Sequence, residues 1–96
     1  MATNREALIK ILEAKYPSIR LANSEDFNGS KDGIWVRSTE DRLTAKDNRL
    51  LFSYYVIDNN EKNYVFGVHR ELNDLLEKHG WYGEWYDAGT MFFYKI

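Results

Sequence analysis

The last sixteen residues, WYGEWYDAGTMFFYKI, constrain the fold more than any other stretch of the chain. Two runs dense in aromatic residues, Trp81–Tyr86 and Met91–Ile96, flank Asp87-Ala88-Gly89-Thr90, a tight turn. Rings suit the pleated surface of strands, so the segment predicts a C-terminal hairpin. Gly80 to Tyr94 alone holds seven aromatic residues. Each ring removes roughly 150–250 Å² from water when buried. A chain of 96 residues builds one core of modest size. One domain, 1–96, is therefore expected, with most rings filling that core. Exposed as an edge, Met91–Ile96 would invite aggregation, so it is expected inside the sheet or across a dimer contact.

The remaining elements follow from periodicity. Thr3-Asn4-Arg5-Glu6 has the form of a capping box, Thr at the N-cap and Glu three residues on. Leu8, Ile11, Leu12 and Tyr16 then mark one face of a helix over 4–16, which Pro17 stops. Ser18–Ala22 alternates weakly, as a short strand. Asn28-Gly29 and Asp32-Gly33 mark turns, and Ile34–Arg37 reads as a strand. Ser38–Arg49, charged with both signs, reads as a solvated loop. Leu50–Ile57 and Asn63–Val68 read as a hairpin around Asp58–Glu61. Leu72, Leu75, Leu76 and His79 mark a second helix, and Gly80 falls where a glycine ends it. The expectation is an α+β domain of order α-β-β-β-β-α-β-β. Its antiparallel sheet would have five to six strands, with two helices on one face.

Alternation divides each strand between two faces. Leu50, Phe52, Tyr54, Val56, Tyr64, Phe66, Val68, Phe92, Tyr94 and Ile96 form a set suited to the helix-covered face. The complementary set is Trp35, Arg37, Leu51, Ser53, Tyr55, Val65, Gly67, His69, Tyr82, Glu84, Tyr86, Met91, Phe93 and Lys95. It mixes rings with charge, which suits neither a dry core nor plain surface. Tyr and Trp with occasional Arg is the composition of interface hot spots. Gly67, inside a strand, leaves room for something to approach the backbone.

Charge and chemistry narrow the function. Thirteen basic and fifteen acidic residues are interspersed, leaving a formal charge of −2 and no basic field for nucleic acid. Cysteine is absent, which excludes disulfides and thiolate chemistry and favours a cytoplasmic home. MATNREALIK has no apolar h-region and no small-residue cleavage site, so no leader is expected, no apolar run is long enough to span a membrane, and the opening Met is expected to begin a complete product. Glu25, Asp26 and Asp32 lack the spacing of a calcium loop, and no glycine pattern suits a phosphate. No cofactor or metal is expected. His79 reads as a cation at a helix C-terminus, and Asp87 as a turn residue. His69 and Glu84 fall on the mixed face, where a pair of this kind can do general acid–base work.

Lys62 to His69, KNYVFGVH, loosely resembles the first ribonucleoprotein motif of RNA-recognition domains, with Tyr64 and Phe66 in the ring positions. The resemblance covers eight residues and implies base stacking on a single strand. The chain departs from that family in three ways. It opens with a helix rather than a strand, Asn63 and Val65 replace small residues, and Tyr64 and Phe66 fall on the core set.

These readings favour a small protein-binding module, an inhibitor, adaptor or phage- or immunity-type accessory protein. Trp35, Arg37, Tyr55, Tyr82, Glu84 and Tyr86 are its expected contact residues. A homodimer using the same face, a single-strand nucleic-acid binder using the same rings, and a small enzyme using His69 and Glu84 are the rival expectations.

Overall fold

The computed structural model describes residues 3–29, 31–37, 43–53, 64–65, 67–87 and 89–96. In chain order its elements are α1 (Arg5–Lys15), β1 (Leu21–Asn23), α2 (Glu25–Asn28), β2 (Ile34–Val36), β3 (Tyr64–Val65), β4 (Val68–His69), α3 (Arg70–Lys78), β5 (Trp81–Asp87) and β6 (Thr90–Lys95). The fold is α+β. Four strands form an antiparallel sheet of order β1-β2-β6-β5, and β3 with β4 form a separate ribbon.

The C-terminal hairpin has the expected strands, and its inner strand β6 is paired on both sides. Leu8 and Leu12 of α1 and Leu72 and Leu76 of α3 bury completely, in one cluster with Ile34, Val36, Trp81, Met91 and Phe93. Each such side chain contributes on the order of 1.5–3 kcal/mol through burial. The helix pattern was legible because a Leu spacing of four residues puts each pair on one stripe.

Helix α1 begins differently from expectation. Asn4 is the N-cap, and its Oδ1 accepts the Ala7 N–H at 2.8 Å. Thr3 is committed elsewhere. Its N–H donates to the His79 carbonyl at 2.9 Å, its Oγ1 lies 2.8 Å from His79 Nδ1, and its carbonyl accepts the Trp81 indole N–H at 2.7 Å. His79 thus ties the start of the chain to the end of α3, beyond its expected place at that helix's C-terminus.

Among the described residues there are six strands, but not in one sheet. Of the expected hairpin, 54–63 and Phe66 lie outside the described residues. Leu50 and Phe52 form single bridges to Thr44 and Val68. Ser53 donates its N–H to the Gly67 carbonyl at 2.7 Å, and His69 donates to Leu51 at 2.8 Å. This layer folds over the helix-covered side, where Val68 approaches Gly83 and Phe52 packs edge-on to Trp85 with centroids 6.4 Å apart. Leu51 and His69, assigned above to the mixed face, are buried here instead. Part of the expected solvated loop is also tucked in, with Ala45 buried and Leu43 against the core.

Gly67 explains the close approach inferred from the sequence, with a different visitor. A Cβ built there would stand 2.6 Å from the Ser53 carbonyl oxygen and 2.9 Å from Trp85 Nε1. The chain's own backbone and indole occupy the room.

The face assignment fails at β6, for one local reason. A two-residue turn after Asp87 pairs Asp87 with Thr90, and unbroken alternation would then pair Tyr86 with Met91. The register instead pairs Trp85 with Met91 and Glu84 with Phe92, leaving Tyr86 as an extra residue. That bulge shifts β5 by one position against β6 and reverses which β6 residues accompany it. Met91 and Phe93 therefore belong to the helix-covered core, and Phe92 and Tyr94 to the opposite face.

Candidate functional site

The face away from α1 and α3 carries Trp35 on β2, Phe92 and Tyr94 on β6, and Tyr82, Glu84 and Tyr86 on β5. Trp35, Phe92 and Glu84 stand side by side across three strands, and Tyr82 stands beside Tyr94. Four of the six expected contact residues are thus on one face. Arg37 lies over it, its guanidinium carbon 5.5 Å from the centroid of the Trp35 ring. Tyr55 lies outside the described residues.

This face is not bare. The short helix α2, unforeseen from the sequence, lays Phe27 across its centre. Ser24 turns the chain there through a pair of bonds to Gly33: its N–H donates to the Gly33 carbonyl, and its Oγ accepts the Gly33 N–H, each at 3.0 Å. Glu25 holds the return. Its carboxylate accepts the Asp32 N–H at 3.1 Å and the Arg5 guanidinium at 2.8 Å. The Asp32 and Glu25 backbone N–H groups, with the Arg5 charge, hold the Glu25 carboxyl at about 2, well below its ordinary value. Four residues are too few to show helical periodicity, so only the flanking polar residues could have signalled this element.

Phe27 touches Trp35, Tyr86 and Phe92, with centroids 4.9, 5.2 and 5.4 Å away. Tyr86 stands edge-on to Phe92 at 5.9 Å, Phe92 meets Tyr94 at 5.8 Å, and Tyr94 meets Tyr82 at 6.3 Å. The rings form a continuous second layer, mostly in the tilted and edge-on geometries that their quadrupoles favour. Phe92, at the bottom, is 2% exposed. The top is open: Phe27 and Tyr82 are each 37% exposed and Tyr86 58%. Burial beside neighbours, the charge of Glu84 and the Tyr94 ring raise the Tyr82 phenol above its ordinary pKa.

His69 and Glu84 are not brought together. His69 caps α3, its Nδ1 accepting the Glu71 N–H at 3.0 Å. That bond places the ring proton on Nε2, which faces both Asp47 carboxylate oxygens at 3.1 Å. Both nitrogens are engaged and the ring is 6% exposed, so no lone pair is left for a substrate. Hydrogen bonds from the Arg49 N–H and from His69 keep the Asp47 carboxyl below its ordinary pKa. Glu71 joins the same network. Burial opposes its charge, but the Tyr16 hydroxyl at 2.7 Å and the Lys46 N–H at 3.2 Å outweigh it and lower its pKa. Burial, with the donated bond to Glu71, drives the Tyr16 phenol far above its usual value. Asp47 carried no signal in the sequence, because its role depends on a partner 22 residues away. Glu84 is two strands' width from Trp35, on the opposite side of the sheet from the β4 layer.

Tyr64 is buried, and its hydroxyl donates to the Leu50 carbonyl at 2.7 Å. Its ring meets His69 at 5.4 Å, so it is not presented for stacking on a base. Among the described residues, no group of three or more His, Cys, Asp or Glu is placed to hold a metal ion, and no helix is long and apolar enough to cross a membrane. Comparison with protein families, with curated proteins and with solved structures finds no match to this chain.

Proposed function

We propose that this chain is a small cytoplasmic protein-binding module, an inhibitor or adaptor, that docks through the ring face of its sheet. The observation that carries this reading is the outward half of the second ring layer. Phe92 is already sealed by its neighbours, yet Tyr82 and Tyr86 keep 37% and 58% of their surface in water. That exposed area is surplus to the core, and partly exposed Tyr with Trp and Arg is the chemistry of interface anchors. Trp35, stiffened by Phe27 and Arg37, forms one end of the surface, with Tyr86 and Tyr82 along its outer strand.

Charge favours a protein over a nucleic acid as partner. Glu84 places a carboxylate on this face between the two tyrosines, a charge that would repel a phosphate, and Arg37 already lies over Trp35. The test is a comparison of Tyr82→Ala and Tyr86→Ala with the parent chain in capture of a partner from lysate and in thermal melting. Each substitution is expected to weaken capture by at least ~2 kcal/mol, the cost of losing a hot spot, with little change in melting for Tyr82→Ala and a drop of several degrees for Tyr86→Ala, which also loses its contacts with Phe27 and Phe92. A large drop in melting temperature would make the rings structural, and unchanged capture would remove the face from the interface. Oligonucleotide binding that weakens steeply with salt would support the nucleic-acid alternative.

A further inference from the structure

We infer that α2 is a lid on the ring face: Phe27 holds, within the chain itself, the seat that an aromatic side chain of the partner takes when the lid opens. This deepens, and rests on, the reading of the ring face as a docking surface.

The seat is defined by what now fills it. The Phe27 ring lies within 5.4 Å, centroid to centroid, of Trp35, Tyr86 and Phe92, tilted or edge-on to each. Those three side chains come from β2, β5 and β6, so strand pairing holds them in place whether or not Phe27 is there. Phe52, Phe92 and Phe93 are buried, yet Phe27 keeps 37% of its surface in water. Withdrawing it exposes less apolar area than withdrawing a core ring. An incoming aromatic side chain regains the tilted contacts that Phe27 gives up. An aliphatic one fills the space without them, and a charged one is desolvated there.

The attachment of α2 is built to give way at its tip and hold at its base. The β1–β2 ladder closes at Asn23 and Ile34, and the paired bonds of Ser24 with Gly33 extend it by one step. The ends of the loop that carries α2 are thus pinned to each other, and α2 can swing without unzipping a strand. Its far end stands clear, since a Cβ at Gly29 would meet nothing within 4 Å. Toward α1, α2 is tied by the Glu25 carboxylate on Arg5, an ion pair at 2.8 Å with the Glu25 side chain 39% exposed. Arg5 also donates to the Gly33 carbonyl at 3.1 Å, so it stays with the base when Glu25 leaves. An exposed ion pair and a partly wetted ring are weak fastenings, and lids are drawn from segments held in this way.

The experiment is an NMR titration of the isotope-labelled full chain with N-acetyl-phenylalanine methylamide, run on the parent, Glu25→Ala and Phe27→Ala. Shifts are expected at the backbone amides of Trp35, Tyr86 and Phe92. A closed lid lowers the apparent affinity by the fraction of open molecules. Binding should therefore tighten about threefold in Glu25→Ala, which keeps Phe27 but loses the ion pair, and about tenfold in Phe27→Ala, which empties the seat. N-acetyl-leucine methylamide should bind Phe27→Ala about threefold more weakly than the phenylalanine probe. Glu25→Ala separates a lid from a fixed side chain. Deleting any packed ring leaves a space for a probe, whereas loosening the ion pair helps only if Phe27 moves aside. Equal binding by Glu25→Ala and the parent, equal binding by Phe27→Ala and the parent, equal binding of the two probes, shifts absent or confined to other residues, or an unfolded spectrum of Phe27→Ala would each overturn the inference. The docking surface itself is judged separately. If partner capture is lost in Tyr82→Ala but Glu25→Ala binds the probe no better than the parent, the surface stands and the lid does not.

Discussion

Gly67→Ala is predicted to be among the most damaging single-methyl additions in this chain, and the structure supplies a control that isolates why. Gly67 has φ +81°, and Gly29, at the end of α2, has φ +79°. Both therefore impose a similar backbone penalty on an L-residue, roughly 1–2 kcal/mol, offset in part by reduced freedom of the unfolded chain. Their surroundings differ. A Cβ at Gly29 meets nothing within 4 Å, whereas one at Gly67 stands 2.6 Å from a backbone carbonyl and 2.9 Å from the Trp85 indole nitrogen. The carbonyl belongs to Ser53, whose own N–H is bonded to Gly67, so the two backbones cannot separate without breaking that bond. Overpacking of this kind costs about 1–3 kcal/mol more. Gly29→Ala should therefore destabilise by about 1 kcal/mol and Gly67→Ala by about 2–4 kcal/mol. In thermal melting the second should fall about 4–24 °C below the first. Trp85 fluorescence should shift only in Gly67→Ala. Melting of the two variants within a few degrees of each other would show that Ser53 and Trp85 do not crowd Gly67.

Two further perturbations test the supports of the ring face and of α3. The Glu25 carboxyl is held at about 2 in the fold, below its ordinary value. Its contribution is thus complete above the unfolded-state pKa and is lost as pH falls through the folded value. Urea midpoints measured from pH 5 down to pH 2 should decline less steeply in Glu25→Gln than in the parent; parallel curves would exclude Glu25 as a source of the acid sensitivity. His69→Ala removes the N-cap of α3 and should cost about 1 kcal/mol or more in urea unfolding. His69→Asn keeps a capping acceptor and should recover part of that loss, an outcome not expected if the ring served only to fill space.

Much of this fold was legible in the sequence, and the parts that were not share a physical cause. Leu8, Leu12, Leu72 and Leu76 announced their helices because spacing alone fixes a helical stripe. Trp81–Tyr86 and Met91–Ile96 announced a hairpin because their composition and turn agree. Phase between the two strands was not legible. It depends on whether Tyr86 is paired or extra, and a tyrosine suits either state. Trp35, Tyr82, Glu84 and Tyr86 were grouped from alternation within β2 and β5, which the bulge leaves intact up to Trp85. Their true companions, Phe92 and Tyr94, were placed on the other side. Phe27 escaped notice because α2 is shorter than any periodic signal. Asp47 escaped because long-range pairing with a histidine leaves no local trace.

The two ends of the described chain meet at one joint. Thr3 donates to the carbonyl of His79, and Ile96 donates at 2.9 Å to the carbonyl of Gly80, the next residue. A force pulling residues 3 and 96 apart would first load this corner, peeling two short anchors in turn instead of shearing the whole sheet. Conversely, a covalent link between those residues would join ends already anchored to two consecutive residues, His79 and Gly80.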